Sequence, residues 1–405
     1  VAAGERSNFL PGYVQHIFRT VWTQPLSAAA DKRGMQTKTT SNRRCRPLRI
    51  EQQSALWFIT TRTIEERFWL HPILSSGLAP MNHHARRLCK RLDRLYHRRV
   101  VTMVAAANRR MGPHQAPLTV DIAKRALKGL IGSALARAQE NCRRAGVEVD
   151  VFAFVAMSNH VHLVVRTHGK NLAKFMGYFK ARVAEGINYL TGRRGPLFSR
   201  RYDAQRILND HAACGRVAYT VDNPRKANLV AHHNEWPGLL LCYGLGDSDQ
   251  PSFEYLARTA WHKAGRPESV DPFFASATLT LSPLPHLSDV ERAEYQRMVE
   301  GWIHDLEQQA DNNDRDRDAA SAATKRPRPL GIDQTIGTAF DYRPQRPSFK
   351  RRPHAFGTPE EKRAYFVLCS DTDAMHRDAS KDFLTINRNA RFPEGTYPPP
   401  IMYAA

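Results

Sequence analysis

The chain has 405 residues and carries 60 Lys and Arg against 39 Asp and Glu, a formal charge of +21. That length can bury a substantial core and hold two domains or one domain with appendages, while the charge favours a polyanionic partner. No stretch approaches the ~20 apolar residues that span a bilayer, no secretory leader is read, and the six cysteines lack Cys-x-x-Cys spacing, so a reducing cytoplasm is expected in preference to a disulfide framework or a zinc ribbon.

Residues 1–50 mix small, polar and basic types and read as a flexible basic arm. The first residue is Val, and Met35 lies shortly before the first strand, so Val1 and Met35 are alternative translation starts. Ala55 to Thr63 has the apolar and threonine character of a sheet member. Ala85 to Ala107, studded with Arg and Lys, reads as a helix, and Gly112 to Pro117 as a loop. Thr119 to Arg144 carries Ile122, Ala126, Leu127, Leu130, Ile131, Ala134, Leu135 and Ala138 at helical spacing, with its stop at Gly146.

Two apolar runs, Val151 to Met157 and His160 to Arg166, flank Ser158 and Asn159 and predict a central β-hairpin. Strand side chains alternate, so His160 and His162 share one face of the sheet. Paired imidazoles are half of a metal site; the alternative is two polar residues on a solvated edge. Asn171 to Leu190 follows as an amphipathic helix covering the sheet face opposite the histidines, and 191–196 as a turn.

Leu197 to Leu208 reads as a strand in which Arg200, Arg201 and Arg206 interleave with Phe198 and Tyr202. Such a mixture suits single-stranded nucleic acid, cations meeting phosphates and rings stacking on bases, or else the rings are core anchors. A helix capped by Asn209 or Asp210 then runs to a stop at Pro224 and sets Tyr219 and Asn223 on one face, with Asn223 falling at or just past its last turn. The adjacent pairs His83-His84 and His232-His233 would face opposite ways on a strand and are read as surface residues. Residues 252–264 read as a helix, and Asp289 to Gln309 as another opened by a Ser288-x-x-Glu291 capping box. The charged run 311–330 reads as a disordered linker, and 331–405 as a basic, proline-rich tail with a short helix near Pro359 to Leu368.

The expected order is thus an arm (1–50), a main domain (51–245), a helical extension (246–310), a linker and a tail, with an α+β main domain around an antiparallel sheet.

Three blocks together resemble the single-tyrosine HUH endonucleases, and within them the REP-associated tyrosine transposases: Met157-Ser-Asn-His-Val-His-Leu-Val-Val, Gly195-Pro-Leu-Phe-Ser-Arg-Arg-Tyr202, and Tyr219-x-x-x-Asn223-Pro-x-x-Ala-x-Leu-Val230. Trp57 to Arg62 resembles the family's first strand, Ser158 stands where the family pattern usually has proline, and the likeness covers about residues 50–240. It implies a ferredoxin-like antiparallel sheet with helices packed on one face and the tyrosine helix lying across the histidine pair.

It also implies Tyr219 as nucleophile on DNA, His160, His162 and Asn223 as ligands of Mg2+ or Mn2+, and a 5′-phosphotyrosine intermediate on single-stranded or hairpin DNA. Arg193, Arg194, Phe198, Arg200, Arg201, Tyr202, Arg206, Arg225 and Lys226 are the expected DNA contacts, the protein being a monomer or homodimer associated with the nucleoid when DNA-bound. Asp222 and Glu185 are the candidate bases for the tyrosine proton, with no role assigned. Alternatives are a DNA-binding factor without chemistry, a metal-dependent phosphodiesterase using water, and a zinc site that serves stability alone.

Overall fold

The computed structural model describes residues 49–70, a few positions between 101 and 109, 119–320 except Gly192, Arg200, Asn228, Arg266 and Glu268, and 354–399 except Ile386. The chain divides into two compact units, 1–46 and 47–405, and the described residues all belong to the second. The expected arm, most of the helix at 85–107, His83, His84, Arg200 and the segment 321–353 lie outside them.

The sheet grows from the hairpin expected at Ser158-Asn159. Strands β1 (Ala55–Arg62), β2 (Val149–Ala156), β3 (His160–Thr167), β4 (Asp203–Ile207), β5 (Leu240–Cys242) and β8 (Ala355–Phe356) lie in the order β5-β2-β3-β1-β4-β8. All neighbours are antiparallel except β4 and β8. A bulge between Val151 and Ala153 adds a residue to β2, so Val151 and Phe154 both reach the same core.

Alternation along the strands divides the two faces. Trp57, Ile59, Leu163 and Val165 meet helices α2 (Leu130–Arg143) and α3 (Leu172–Thr191) in one core with Leu135, Ala138, Phe175, Phe179 and Val183. Phe58, Thr60, His160 and His162 point the other way, where helix α4 (Asp210–Lys226) packs on β2 and β3. Helices therefore cover both faces, a correction to the one-sided layer expected: α3 lies opposite the histidines as read from its stripe, and α4 packs on the histidine face. The architecture is α+β, as the element order implied.

Further expectations are revised locally. The helix read over 119–144 breaks into α1 (Val120–Leu127) and α2 at Gly129, whose φ of +80° is left-handed and open to glycine at little cost. The helix read over 252–264 is instead strand β6 (Ser252–Leu256) followed by the short α5 (Arg258–Lys263); β6 pairs with β7 (Phe274–Thr278) as a separate hairpin. Phe253 and Leu256 are its buried residues, and they face different clusters; spaced three apart in a short run, they read as helical. Strand 197–208 contracts to β4, its first part making only a bridge from Phe198 to Thr63.

Helix α6 spans Arg292–Ala320, starting after the expected capping box and continuing into the expected linker. Asp and Arg three and four apart in 311–318 are the spacing that favours helix over coil. In the expected tail, β8 adds to the sheet edge and helix α7 runs over Pro359–Thr385, far beyond Leu368. Gly395 O accepts from Glu51 N at 2.8 Å, tying the tail's end to the entry to β1.

Candidate functional site

The histidines stand where the hairpin was read to put them. In register, His162 lies beside Thr60 and His160 beside Arg62 on β1, and the two imidazole centroids are 4.9 Å apart. Each Nδ1 already has a partner. Asn159 Nδ2 donates to Glu66 O at 3.0 Å, which fixes its amide so that Oδ1 accepts from His160 Nδ1 at 2.7 Å. Thr60 Oγ1 lies 3.0 Å from His162 Nδ1. This is the outer-shell pattern that fixes a ring's tautomer and orientation and leaves Nε2 for another ligand.

Helix α4 brings the third and fourth groups. Asn209 is its N-cap, accepting from Ala212 N at 2.8 Å, and the helix runs to Lys226 through Pro224. Proline there gives up one backbone donor, and the helix still continues, Ala227 N closing its end on Asn223 O at 3.0 Å. Asn223 is thus on the helix, not beyond it, and one turn from Tyr219. Its buried side chain faces the His160 ring. The Tyr219 ring stands edge-on to His162 at 5.6 Å, and Phe58, stacked on His162 at 5.2 Å, meets Tyr219 edge-on at 5.7 Å.

The surroundings are cationic. Arg216 Cζ lies 4.8 Å and Lys226 Nζ 4.7 Å from the Tyr219 ring centroid, close enough for cation–π attraction. Burial is the main cause that lowers Arg216 to about 10 and Lys226 to about 8. Burial, then the charges of Arg62, Arg216 and Lys226, lowers His162 to about 3; burial, then His162 and Arg62, holds His160 well below its ordinary value against the opposing effect of Asn223. Both imidazoles are therefore neutral at physiological pH, the form that ligates a metal.

Among the described residues no three His, Cys, Asp or Glu side chains cluster to hold a metal ion. A metal held by the residues that the sequence singled out would have two imidazoles and an amide as its protein donors, and the neutral rings with their Nδ1 atoms engaged fit that role. Three nearby cations oppose a bare divalent ion, so the pocket as a whole suits a metal accompanied by an anionic phosphate.

The expected DNA contacts separate into groups. Lys226 is at the site. Arg225 pairs with Asp222 through two bonds of 2.7 and 2.8 Å and reaches Glu307 at 3.5 Å, joining α4 to α6. Arg193 staples its own turn by donating to Asn188 Oδ1 and Pro196 O. Phe198 and Tyr202 are buried in the core, and Arg49 lies over the Tyr202 ring at 3.8 Å. Arg206 pairs in register with Trp57 and sits over its ring on the helical-layer side of the sheet. Arg194 and Arg201 are exposed.

Neither candidate base fits: Asp222 is committed to Arg225, and Glu185 belongs to α3 on the other face. His232 is exposed as expected, whereas His233 is partly buried and lies 4.0 Å from Glu307. Sequence reasoning missed Thr60, Asn159, Arg62 and Arg216; the first three were signalled only by adjacency to the histidines in the hairpin and its expected neighbour strand, and Arg216 by its place three residues before Tyr219.

A fifth contact comes from the C-terminal region. Phe356 on β8 meets Phe58 edge-on at 5.8 Å and lies under Arg216 at 4.2 Å. Glu361 accepts from Thr358 N at 2.7 Å and from the side chain of the α4 N-cap, Asn209.

No protein-family model matches the chain, and no curated protein matches it. Among solved structures, it is similar to a REP-associated tyrosine transposase bound to a REP hairpin, at 13% identity and a TM-score of 0.27, covering 47% of this chain and 78% of that one.

Proposed function

We propose that this protein is a DNA strand-cleaving and rejoining enzyme of the HUH type, acting on single-stranded DNA near hairpins through a 5′-phosphotyrosine intermediate. The observation that carries the reading is the convergence of Tyr219, Asn223, His160 and His162 in one cation-lined pocket, from a helix and a strand that the sequence resemblance had singled out independently. A nucleophile, a neutral metal-ligand set and a place for negative charge are the parts that such chemistry needs.

The scissile phosphate enters the space among Arg62, Arg216 and Lys226, whose charges offset its own. Tyr219 Oη attacks phosphorus in line; the P–O3′ bond breaks as the Tyr–O–P bond forms, and the phenol proton is balanced by the one gained at the departing 3′-oxygen. The linkage retains the phosphodiester's energy, so a 3′-hydroxyl can reverse the step and rejoin strands without a nucleotide cofactor. Asn159 and Thr60 hold the imidazoles in register, and Phe58 and Phe356 wall the pocket beneath Arg216. Mg2+ or Mn2+ held by His160, His162 and Asn223 would supply Lewis-acid polarisation of the phosphate; with two nitrogen donors, Mn2+ should serve at least as well.

The test is a denaturing gel of labelled single-stranded hairpin oligonucleotides incubated with Mn2+ and wild-type protein, Tyr219→Phe or His162→Ala. A slow protein-linked band from wild type alone is expected. Cleavage without a linked band means hydrolysis by water, and tight binding without cleavage across a panel of hairpins means a DNA-binding protein without chemistry; either result overturns the proposal.

A further inference from the structure

The outer surface of the helical layer, across the sheet from Tyr219, holds a second concentration of cations. Arg137 on α2 lies over Tyr255 of β6 at 4.0 Å, Arg182 on α3 over Tyr178 at 5.3 Å, and Arg258 on α5 over Tyr189 at 4.8 Å. Glycine makes this assembly possible: a Cβ at Gly132 would lie 2.3 Å from the Phe253 ring, so only glycine lets the β6–β7 hairpin seat on α2 and bring Tyr255 to Arg137.

Two of the three guanidiniums share one carboxylate, and the third has none among the described residues. Glu185 accepts from Arg182 at 2.5 Å and from Arg258 at 3.5 Å, while Arg137 forms no ion pair among the described residues and donates Nε to Ser133 O at 3.1 Å. Burial first, and the neighbouring guanidinium charges with it, lower the pKa of Arg137 and Arg258. Arg125, nearby on α1, shows the contrast. It is satisfied by Glu254 and Asp271 together. A patch with three cations to one anion, each cation half-buried and lying over a ring, is an arrangement that an external anion completes.

We propose that this patch grips the sugar–phosphate backbone of double-stranded nucleic acid, as a contact separate from the face that carries Tyr219. The class of ligand follows from the rings. Tyr178, Tyr189 and Tyr255 each have a face covered by an arginine and are packed at half-buried positions, so they serve to orient guanidiniums and are poorly placed to stack on unpaired bases, as single-strand binders require. Forked donors anchored over rings suit phosphates presented along a backbone, whose contacts position the nucleic acid without reading bases. This extends the reading of DNA as the partner, assigning its paired region to the helical layer and its cleaved strand to the tyrosine face.

The experiment uses the full chain and a short blunt DNA duplex, with chelator present so that no cleavage occurs, and measures affinity across a salt series. The variant Arg137→Gln/Arg182→Gln/Arg258→Gln is expected to reduce the slope of log K against log salt by about 3 and affinity at 0.15 M salt by roughly a hundredfold. Arg125→Gln should leave the slope as in wild type. If the triple variant loses its cooperative melting transition, the single Arg137→Gln and Arg258→Gln should each lower the slope by about 0.9, and the triple Arg→Lys variant should keep most of it.

An unchanged slope in folded Gln variants overturns the proposal, and does so in favour of an acidic protein partner if the same variants lose binding to poly-glutamate. The two proposals fail separately. Wild type that forms no protein-linked band yet shows the slope difference sinks the nuclease reading alone, whereas Gln variants that retain both the band on a single strand and the full duplex slope sink this one alone.

Discussion

Replacing Asn159 by Ala separates the fold of the hairpin from the tuning of its histidine. The side chain makes two bonds, Nδ2 to Glu66 O at 3.0 Å and Oδ1 from His160 Nδ1 at 2.7 Å. At about 1 kcal/mol each, their loss amounts to about 2 kcal/mol of stability, a fall in melting temperature of about 4 °C. The functional effect is larger in proportion, because loss of a ligand's outer-shell partner reduces metal affinity or activity by about 10–100-fold.

Asn159→Asp keeps an acceptor for His160 and loses only the donor to Glu66, so it should lose stability while holding its metal response near wild type. The assay is a Mn2+ titration of hairpin cleavage, with thermal melts alongside. An Asn159→Ala protein that melts lower but saturates with Mn2+ at the wild-type concentration would refute the claim that Asn159 sets the working tautomer of His160.

Lys226 carries a pH prediction. Burial lowers its pKa to about 8, so the cation beside Tyr219 is lost as pH rises through about 8, and DNA retention should weaken there in wild type but show no such step in Lys226→Met, read by affinity against pH. The sign for stability is opposite: burying the ammonium is unfavourable in full below about 8, and that penalty is released between there and the ordinary lysine value, so denaturant melts should favour Lys226→Met at neutral pH, with the gap closing toward about pH 10. Gly132→Ala should destabilise by about 1–3 kcal/mol through the clash with Phe253, seen as a lower denaturation midpoint. Phe356→Ala removes a half-buried ring from Phe58 and Arg216; a loss of about 1–2 kcal/mol with a matching drop in strand cleavage would tie the C-terminal segment to the tyrosine pocket.

Where local pattern and tertiary demand agreed, the sequence was readable. The hairpin around Ser158-Asn159 and the stripe of α3 were set by periodicity over long runs, and the facing of His160 and His162 followed from strand alternation alone. The cap at Asn209 was legible because a single side chain performs it. Other features depended on partners distant in sequence. Gly129 and Gly132 break and admit the helical layer only because a hairpin more than a hundred residues later docks there. Pro224 reads as a stop, and the helix nevertheless runs two residues past it to Lys226, with Ala227 N still bonding Asn223 O.

Tyr219, His160, His162, Asn223 and Lys226 were each singled out by motif, while Arg216 beside the tyrosine was not. Arg216 gains its role from Phe356, a residue of an expected tail, and no local pattern announces that contact. Phe198 and Tyr202 show the reverse: their spacing with arginines suited nucleic acid equally well, and burial in the core decided for packing.

The most direct test of the central claim is the chemical identity of the protein–DNA linkage. After incubation with a single-stranded hairpin substrate and Mn2+, nuclease and trypsin digestion should yield the peptide spanning residues 217–225, bounded by Arg216 and Arg225, carrying a nucleotide through a phosphate on Tyr219. A nucleotide on any other residue, or efficient cleavage with that peptide recovered entirely unmodified, would contradict the tyrosine mechanism.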